Sequence, residues 1–335
     1  MKIGIFDSGL GGLIIAKAIR KVMPEYDYVY LGDTKRVPYG NRSHEAVYEF
    51  TREAVDYLFR KENCVIIIIA CNTASARALR RIQQEYLLKN FPDRKILGVL
   101  IPSAEEAAKY ERVGILGTQG TINSNTFPKE IWKVNLKKKK KNLLSPLLVE
   151  EGVGGGDLKK NHFALKGTPP QKGGENFFFT KVFQNSAPML VPLIEEGEKV
   201  LAVHFLKKYL KPFLNNPVRS RSPQGDRNTR LLTRMASNGI DALVLGCTHY
   251  PFYKKEIKKI LNKGSESARG RTRVISQDEI IPKKLKDYFV RHSEIEKKLS
   301  KNKKAKILVT DITPNIKKLS QKWFGKDTKP ELIHL

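Results

Sequence analysis

Val65-Ile66-Ile67-Ile68-Ile69-Ala70-Cys71-Asn72-Thr73-Ala74-Ser75 runs from an unbroken apolar segment into a thiol and small polar residues. Five β-branched residues in succession, with no polar alternation, read as a short strand buried on both faces, as in parallel sheets covered by helices. Cys71 then stands at the carboxyl end of that strand, where open α/β sheets bind their ligands. Asn72, Thr73 and Ser75 fall at the expected start of a helix, where short polar side chains and the first free backbone N–H groups can hold an anion. Alone, the site reads as an inert buried cysteine beside a helix cap. The pattern returns, however, in Asp241-Ala-Leu-Val-Leu-Gly246-Cys247-Thr248-His249-Tyr250-Pro251. Two strand-end thiols, each followed by polar residues, point to a pair facing one substrate.

Outward from Cys71, strands and helices alternate. Lys2–Phe6 reads as a strand running into the glycine-rich turn Asp7-Ser8-Gly9-Leu10-Gly11-Gly12, with a helix over Leu13–Val22. Tyr26–Leu31 is the next strand, Ser43–Lys61 has helical spacing, and a helix after Cys71 is expected to reach about Leu88. Ile96–Ile101 and Arg112–Leu116 are further strands. Beyond Cys247 come a helix at Lys254–Leu261, a strand at Lys306–Thr310 and a helix near Asn315–Phe324. Such alternation implies a mostly parallel sheet.

Bulk properties narrow the function classes. A chain of 335 residues suits about two domains, and 40% hydrophobic residues is enough for a core. No apolar run approaches the ~20 residues of a membrane span, and the N-terminus lacks a secretory apolar segment, so a cytoplasmic protein is expected. Three cysteines, Cys64, Cys71 and Cys247, without regular spacing argue against a disulfide framework and suit a reducing compartment. No ligand spacing for a metal is present. The net charge of +28 is concentrated in Lys137–Lys141, 219–234, 269–273 and Lys297–Lys306. Aromatic residues are not interleaved there, so these segments read as solvated and partly disordered, and any nucleic-acid contact is expected to be unspecific.

Asp7-Ser8-Gly9-Leu10-Gly11-Gly12, Pro38-Tyr39-Gly40, Ala70-Cys71-Asn72-Thr73-Ala74-Ser75, Val191-Pro192-Leu193-Ile194-Glu195 and Gly246-Cys247-Thr248-His249-Tyr250-Pro251 occur in this order. Together they resemble the glutamate racemases. The resemblance implies two similar parallel-sheet α/β domains with the active site in the cleft between them. It further implies cofactor-independent interconversion of L- and D-glutamate for bacterial peptidoglycan, and a homodimer. By the same resemblance, Cys71 and Cys247 are the acid–base thiols, Asp7 assists Cys71 and His249 assists Cys247. Glu195 is the third acidic position, with Glu196 beside it left open. Asp7, Ser8, Tyr39, Gly40, Asn72, Thr73, Thr248 and His249 match substrate-binding positions. No cofactor and no metal are implied. Aspartate racemases are the related alternative, and a basic nucleic-acid-associated protein on a racemase scaffold is the alternative of another class.

The residues suit that chemistry in their own right. Racemisation needs a base on one face of the α-carbon and an acid on the other, and two thiols can exchange those roles. A free thiol has a pKa of about 8.5, so each needs a proton acceptor or a positive charge beside it. The expected division is residues 1–98 with 283–335 as one domain and 99–282 as the other, with low-complexity inserts near 137–181, 215–230 and 263–273.

Overall fold

The computed structural model describes residues 1–144, 179–214, 239–263 and 271–335. It contains ten strands: β1 (Lys2–Asp7), β2 (Tyr28–Gly32), β3 (Cys64–Ile69), β4 (Lys95–Gly98), β5 (Arg112–Gly117), β6 (Lys181–Ser186), β7 (Ala242–Gly246), β8 (Arg273–Ile275), β9 (Ala305–Val309) and β10 (Glu331–Leu332). They form two sheets, ordered β10-β9-β2-β1-β3-β4 and β6-β5-β7-β8. Every pairing is parallel. The expected α/β class with two parallel sheets is the architecture observed.

The apolar runs explain the centre of each sheet. All six residues of β3 and all five of β7 are buried. Burying each such branched side chain stabilises the fold by roughly 1.5–3 kcal/mol. The helix Leu13–Val22 has the expected bounds and buries Leu13, Ile15, Ala16 and Ile19. The helix His44–Arg60 starts at Ser43, whose hydroxyl accepts from Ala46 N–H, and it buries Val47, Ala54 and Leu58 among others. Such a cap adds about 1 kcal/mol.

The two sheets repeat one topology. In the first, β1 lies between β2 and β3, with β4 beyond; in the second, β5 lies between β6 and β7, with β8 beyond. The order therefore reverses between β1 and β3, and again between β5 and β7. Such reversals open a crevice at the carboxyl ends of the strands.

Several expectations are corrected. The expected 137–181 insert begins too early, because the helix Thr126–Leu144 carries the whole Lys137–Lys141 run. Lysine is a good helix former, and Phe127 and Ile131, both buried, anchor the helix upstream. At its other end the same segment contains the start of β6. Residues 145–178 and the 215–230 segment lie outside the described residues, as do 264–270 of the third basic segment, whose final residue, Arg273, opens β8. Lys297–Lys306 is an ordered turn and strand start: the Asp27 carboxylate accepts from Asn302 N, Asn302 Nδ2 and Lys304 N at 2.7–3.2 Å. The helix after Cys71 is broken into short pieces with a π-helical turn at Ile82–Leu87. The expected boundary at 282/283 falls inside the helix Gln277–Arg291, which packs on both the Leu13–Val22 and Leu100–Ala107 helices. Among the described residues, no helix is long and apolar enough to cross a membrane.

Candidate active site

Both thiols lie at the reversal points. Cys71 follows β3 and Cys247 follows β7, the third strand of each sheet. Asp7 ends β1 and Ser8 follows it; Gly117 ends β5 and Thr118 follows it. One cavity is lined by Ser8, Tyr39, Gly40, Cys71, Asn72 and Thr73 from one side and by Thr118, Val191, Cys247, Thr248 and His249 from the other. Its volume of about 20 Å³ admits about one water, so an amino acid enters only when the two sides part. A wider cleft, about 560 Å³, lies at the amino ends of β2, β9 and β10, away from both thiols.

The glycine-rich turn lets the two sides meet. A Cβ on Gly11 would stand 2.6 Å from His249 Nδ1 and 2.6 Å from Thr248 Oγ1. Gly12 donates its N–H to Asp7 Oδ2 at 2.7 Å, and Thr248 Oγ1 donates to the Asp7 carboxylate at 3.3–3.4 Å. Burial lifts the Asp7 carboxyl above the ordinary carboxylate range, against the opposing pull of the His249 charge and these hydrogen bonds.

Cys71 caps the six-residue helix Asn72–Arg77, with Ala74 N donating to its sulfur at 3.4 Å; its Sγ also lies 3.3 Å from Ser8 Oγ. Burial, and then the Asp7 charge, push this thiol up to about 12, outweighing the Ser8 and Ala74 hydrogen bonds. In the closed cavity Cys71 is therefore a protonated thiol at neutral pH.

Cys247 has a different neighbour. His249 Nδ1 lies 3.7 Å from its sulfur, and His249 Nε2 lies 2.8 Å from Glu195 Oε1. Burial disfavours the imidazolium, but hydrogen bonds to Cys247 and Glu195 outweigh it and hold His249 well above its ordinary value. The ring then donates from both nitrogens. Glu196 is exposed; the ambiguity between the two acids resolves in favour of Glu195 as the residue on His249. Trp323, from the helix Pro314–Trp323, packs edge-on to the imidazole at 6.2 Å, and Asn315 of that helix donates to the Glu195 backbone carbonyl at 2.7 Å.

The remaining expected residues are brought to the same place. The Tyr39 hydroxyl donates to buried Asp33 Oδ2, which also accepts from Arg36 Nε at 2.6 Å, while Thr310 Oγ1 donates to Asp33 Oδ1 at 2.8 Å. Thr73 Oγ1 lies 2.8 Å from Thr118 Oγ1, and Asn72 pairs with Gln277. Thr118, Asp33 and Gln277 were not singled out from the sequence. Thr118 had one available signal, its place directly after an apolar strand, like Ser8. Among the described residues, no group of three or more His, Cys, Asp or Glu is placed to hold a metal ion.

The chain matches no protein-family model. It is 31% identical over 337 residues to the glutamate racemase of Aquifex aeolicus (strain VF5), covering 99% of this chain and 97% of that protein. It is 32% identical over 332 residues to the glutamate racemase of Aquifex pyrophilus, covering 98% and 95%. The crystal structure of a glutamate racemase isoform from Bacillus anthracis shares its fold with a TM-score of 0.69 at 25% identity, covering 100% of this chain and 97% of that one. Identity sustained over essentially the whole length, on the same pair of parallel sheets, places the chain: it belongs to the glutamate racemase family, enzymes of the isomerase class.

Proposed function

We propose that the protein interconverts L- and D-glutamate by proton transfer between Cys71 and Cys247, without a cofactor. The observation that carries this reading is that two thiols from corresponding places in the two sheets line a single cavity. Starting from L-glutamate, the Cys247 thiolate, beside the His249 imidazolium, takes the α-proton and becomes a thiol. The Cys71 thiol gives its proton to the opposite face of the α-carbon and becomes a thiolate. One C–H bond breaks, another forms, and the product is D-glutamate. Proton exchange through Asp7 and His249 resets the pair. A substrate ammonium entering beside Asp7 supplies the positive charge that Cys71 lacks in the closed cavity.

Ser8, Tyr39, Gly40, Asn72, Thr73 and Thr248 hold the two carboxylates and the ammonium with neutral donors and acceptors, and Thr118 adds a hydroxyl to the same wall. The enzyme works in the cytoplasm, where thiols stay reduced, and supplies D-glutamate to peptidoglycan synthesis as a homodimer. The same reading divides the chain near residue 98 and within the helix Gln277–Arg291 into two α/β units.

Incubation with L-glutamate and, separately, L-aspartate, without pyridoxal phosphate and with chiral chromatography as the readout, tests the proposal. Faster racemisation of glutamate is expected. One methylene distinguishes the substrates, worth roughly 1–3 kcal/mol in a fitted pocket. Faster racemisation of aspartate overturns the assignment.

A further inference from the structure

Asn72 and Gln277 form a reciprocal amide pair. Asn72 Nδ2 donates to Gln277 Oε1 at 2.9 Å, and Gln277 Nε2 donates to Asn72 Oδ1 at 2.6 Å. Both side chains are buried, the residues being 2% and 1% exposed. Asn72 lines the cavity next to Cys71; Gln277 is not among the lining residues. The two come from different sheets: Asn72 opens the helix after β3, and Gln277 opens the helix after β8.

A primary amide has two N–H donors and a carbonyl with two lone pairs. The pair uses one donor and one lone pair of Asn72, leaving a second N–H that Gln277 does not engage. The terminal torsion of an asparagine is broad and shallow, so alone it does not fix where that N–H points. Two simultaneous hydrogen bonds to one partner fix the plane of the amide.

We infer that Gln277 is a positioning residue: it orients the Asn72 amide so that its free N–H meets a carboxylate of the substrate. The inference rests on the racemase reading and on Asn72 as a substrate contact. The pair also ties the helix after β3 to the helix after β8, so the carboxylate contact is set by a side chain that does not touch the substrate.

The test is a double-mutant cycle on the full chain, comparing wild type, Gln277→Met, Gln277→Glu, Asn72→Ala and Asn72→Ala/Gln277→Met. Gln277→Met keeps the length and removes both hydrogen bonds; Gln277→Glu keeps an acceptor for Asn72 Nδ2. With Gln277→Met, KM for glutamate should rise about tenfold, about the worth of one hydrogen bond, while kcat changes by less than about threefold. Gln277→Glu should raise KM less. The double variant should be no worse than Asn72→Ala alone, because the two residues act as one unit. Effects on KM that multiply, or a lowered Tm with KM unchanged, make Gln277 a latch only and overturn the inference. Should Gln277→Met not fold, the same cycle run with Gln277→Glu gives the same comparison. A wild-type protein that racemises neither glutamate nor aspartate contradicts the underlying reading itself, a failure distinct from a racemase indifferent to Gln277.

Discussion

The two thiol loops occupy equivalent places and are built differently. Each follows the third strand of its sheet, and each cysteine lies within two residues of a threonine that lines the cavity. Cys71 caps a short helix and faces a hydroxyl and a buried carboxyl, with no cation against its sulfur among the described residues. Cys247 has an imidazole against its sulfur, backed by a carboxylate. A repeated topology therefore supplies corresponding positions, while the side chains around them give the two thiols different electrostatic surroundings. A reaction that uses one thiol as base and the other as acid draws on that difference.

Removing the cation should do most to erase the difference. His249→Asn is expected to lower kcat by roughly 10³-fold in the direction starting from L-glutamate, within the range of general acid–base contributions; steady-state rates from each enantiomer check it. Asp7→Asn should lower kcat by roughly 10²-fold, mainly from D-glutamate. Its effect on stability has the opposite sign. A carboxyl whose folded pKa is raised costs stability above its unfolded value, so neutralising it leaves Tm unchanged or higher. A clear fall in Tm at pH 7 counts against a carboxyl that burial holds above its ordinary range.

Glu195→Gln should cost about tenfold in kcat, whereas Glu196→Gln, at an exposed position, should change it by less than about twofold. Glu195 also sets a pH dependence. His249 is raised above its ordinary value of 6.5, so its stabilising contribution is complete below that value and is lost as pH rises through the folded one. Glu195→Gln should therefore move the alkaline limb of the rate profile to lower pH; an unmoved limb detaches Glu195 from the imidazolium. A smaller effect than at Glu195 is expected at Ser8→Ala, which removes the 3.3 Å contact to Cys71: a few-fold in rate, the size of one weak hydrogen bond.

What the sequence revealed depended on whether a signal was local. β3 and β7 were legible because an unbroken β-branched or aliphatic run admits few alternatives, and the thiols at their ends came with them. β6 escaped: Lys181–Ser186 is an edge strand, mostly half-exposed, with no apolar run to mark it. The helical Lys137–Lys141 run was hidden because charge density says nothing about an anchor such as Phe127 ten residues upstream. Gln277 and Asp33 are single polar residues whose importance arises only from partners 205 and 277 residues away, Asn72 and Thr310. No window of local sequence holds both members of such a pair. The cysteines, His249 and Glu195 were accessible because short motifs carried them, yet the motifs could not choose between Glu195 and Glu196. A 2.8 Å contact to His249 does so.

The half-reactions of Cys71→Ser and Cys247→Ser decide whether each thiol serves one face of the α-carbon. A serine hydroxyl is too weak an acid to supply the base at neutral pH, so either substitution should abolish racemisation. Elimination of chloride from a β-chloro analogue of glutamate needs only one base: the α-proton is taken and chloride leaves. Cys71→Ser, which retains Cys247, should eliminate from the L-configured analogue and not the D; Cys247→Ser, which retains Cys71, should do the reverse. Elimination from the same enantiomer by both variants, or full racemisation by Cys247→Ser, would contradict the account and leave Cys247 a structural residue.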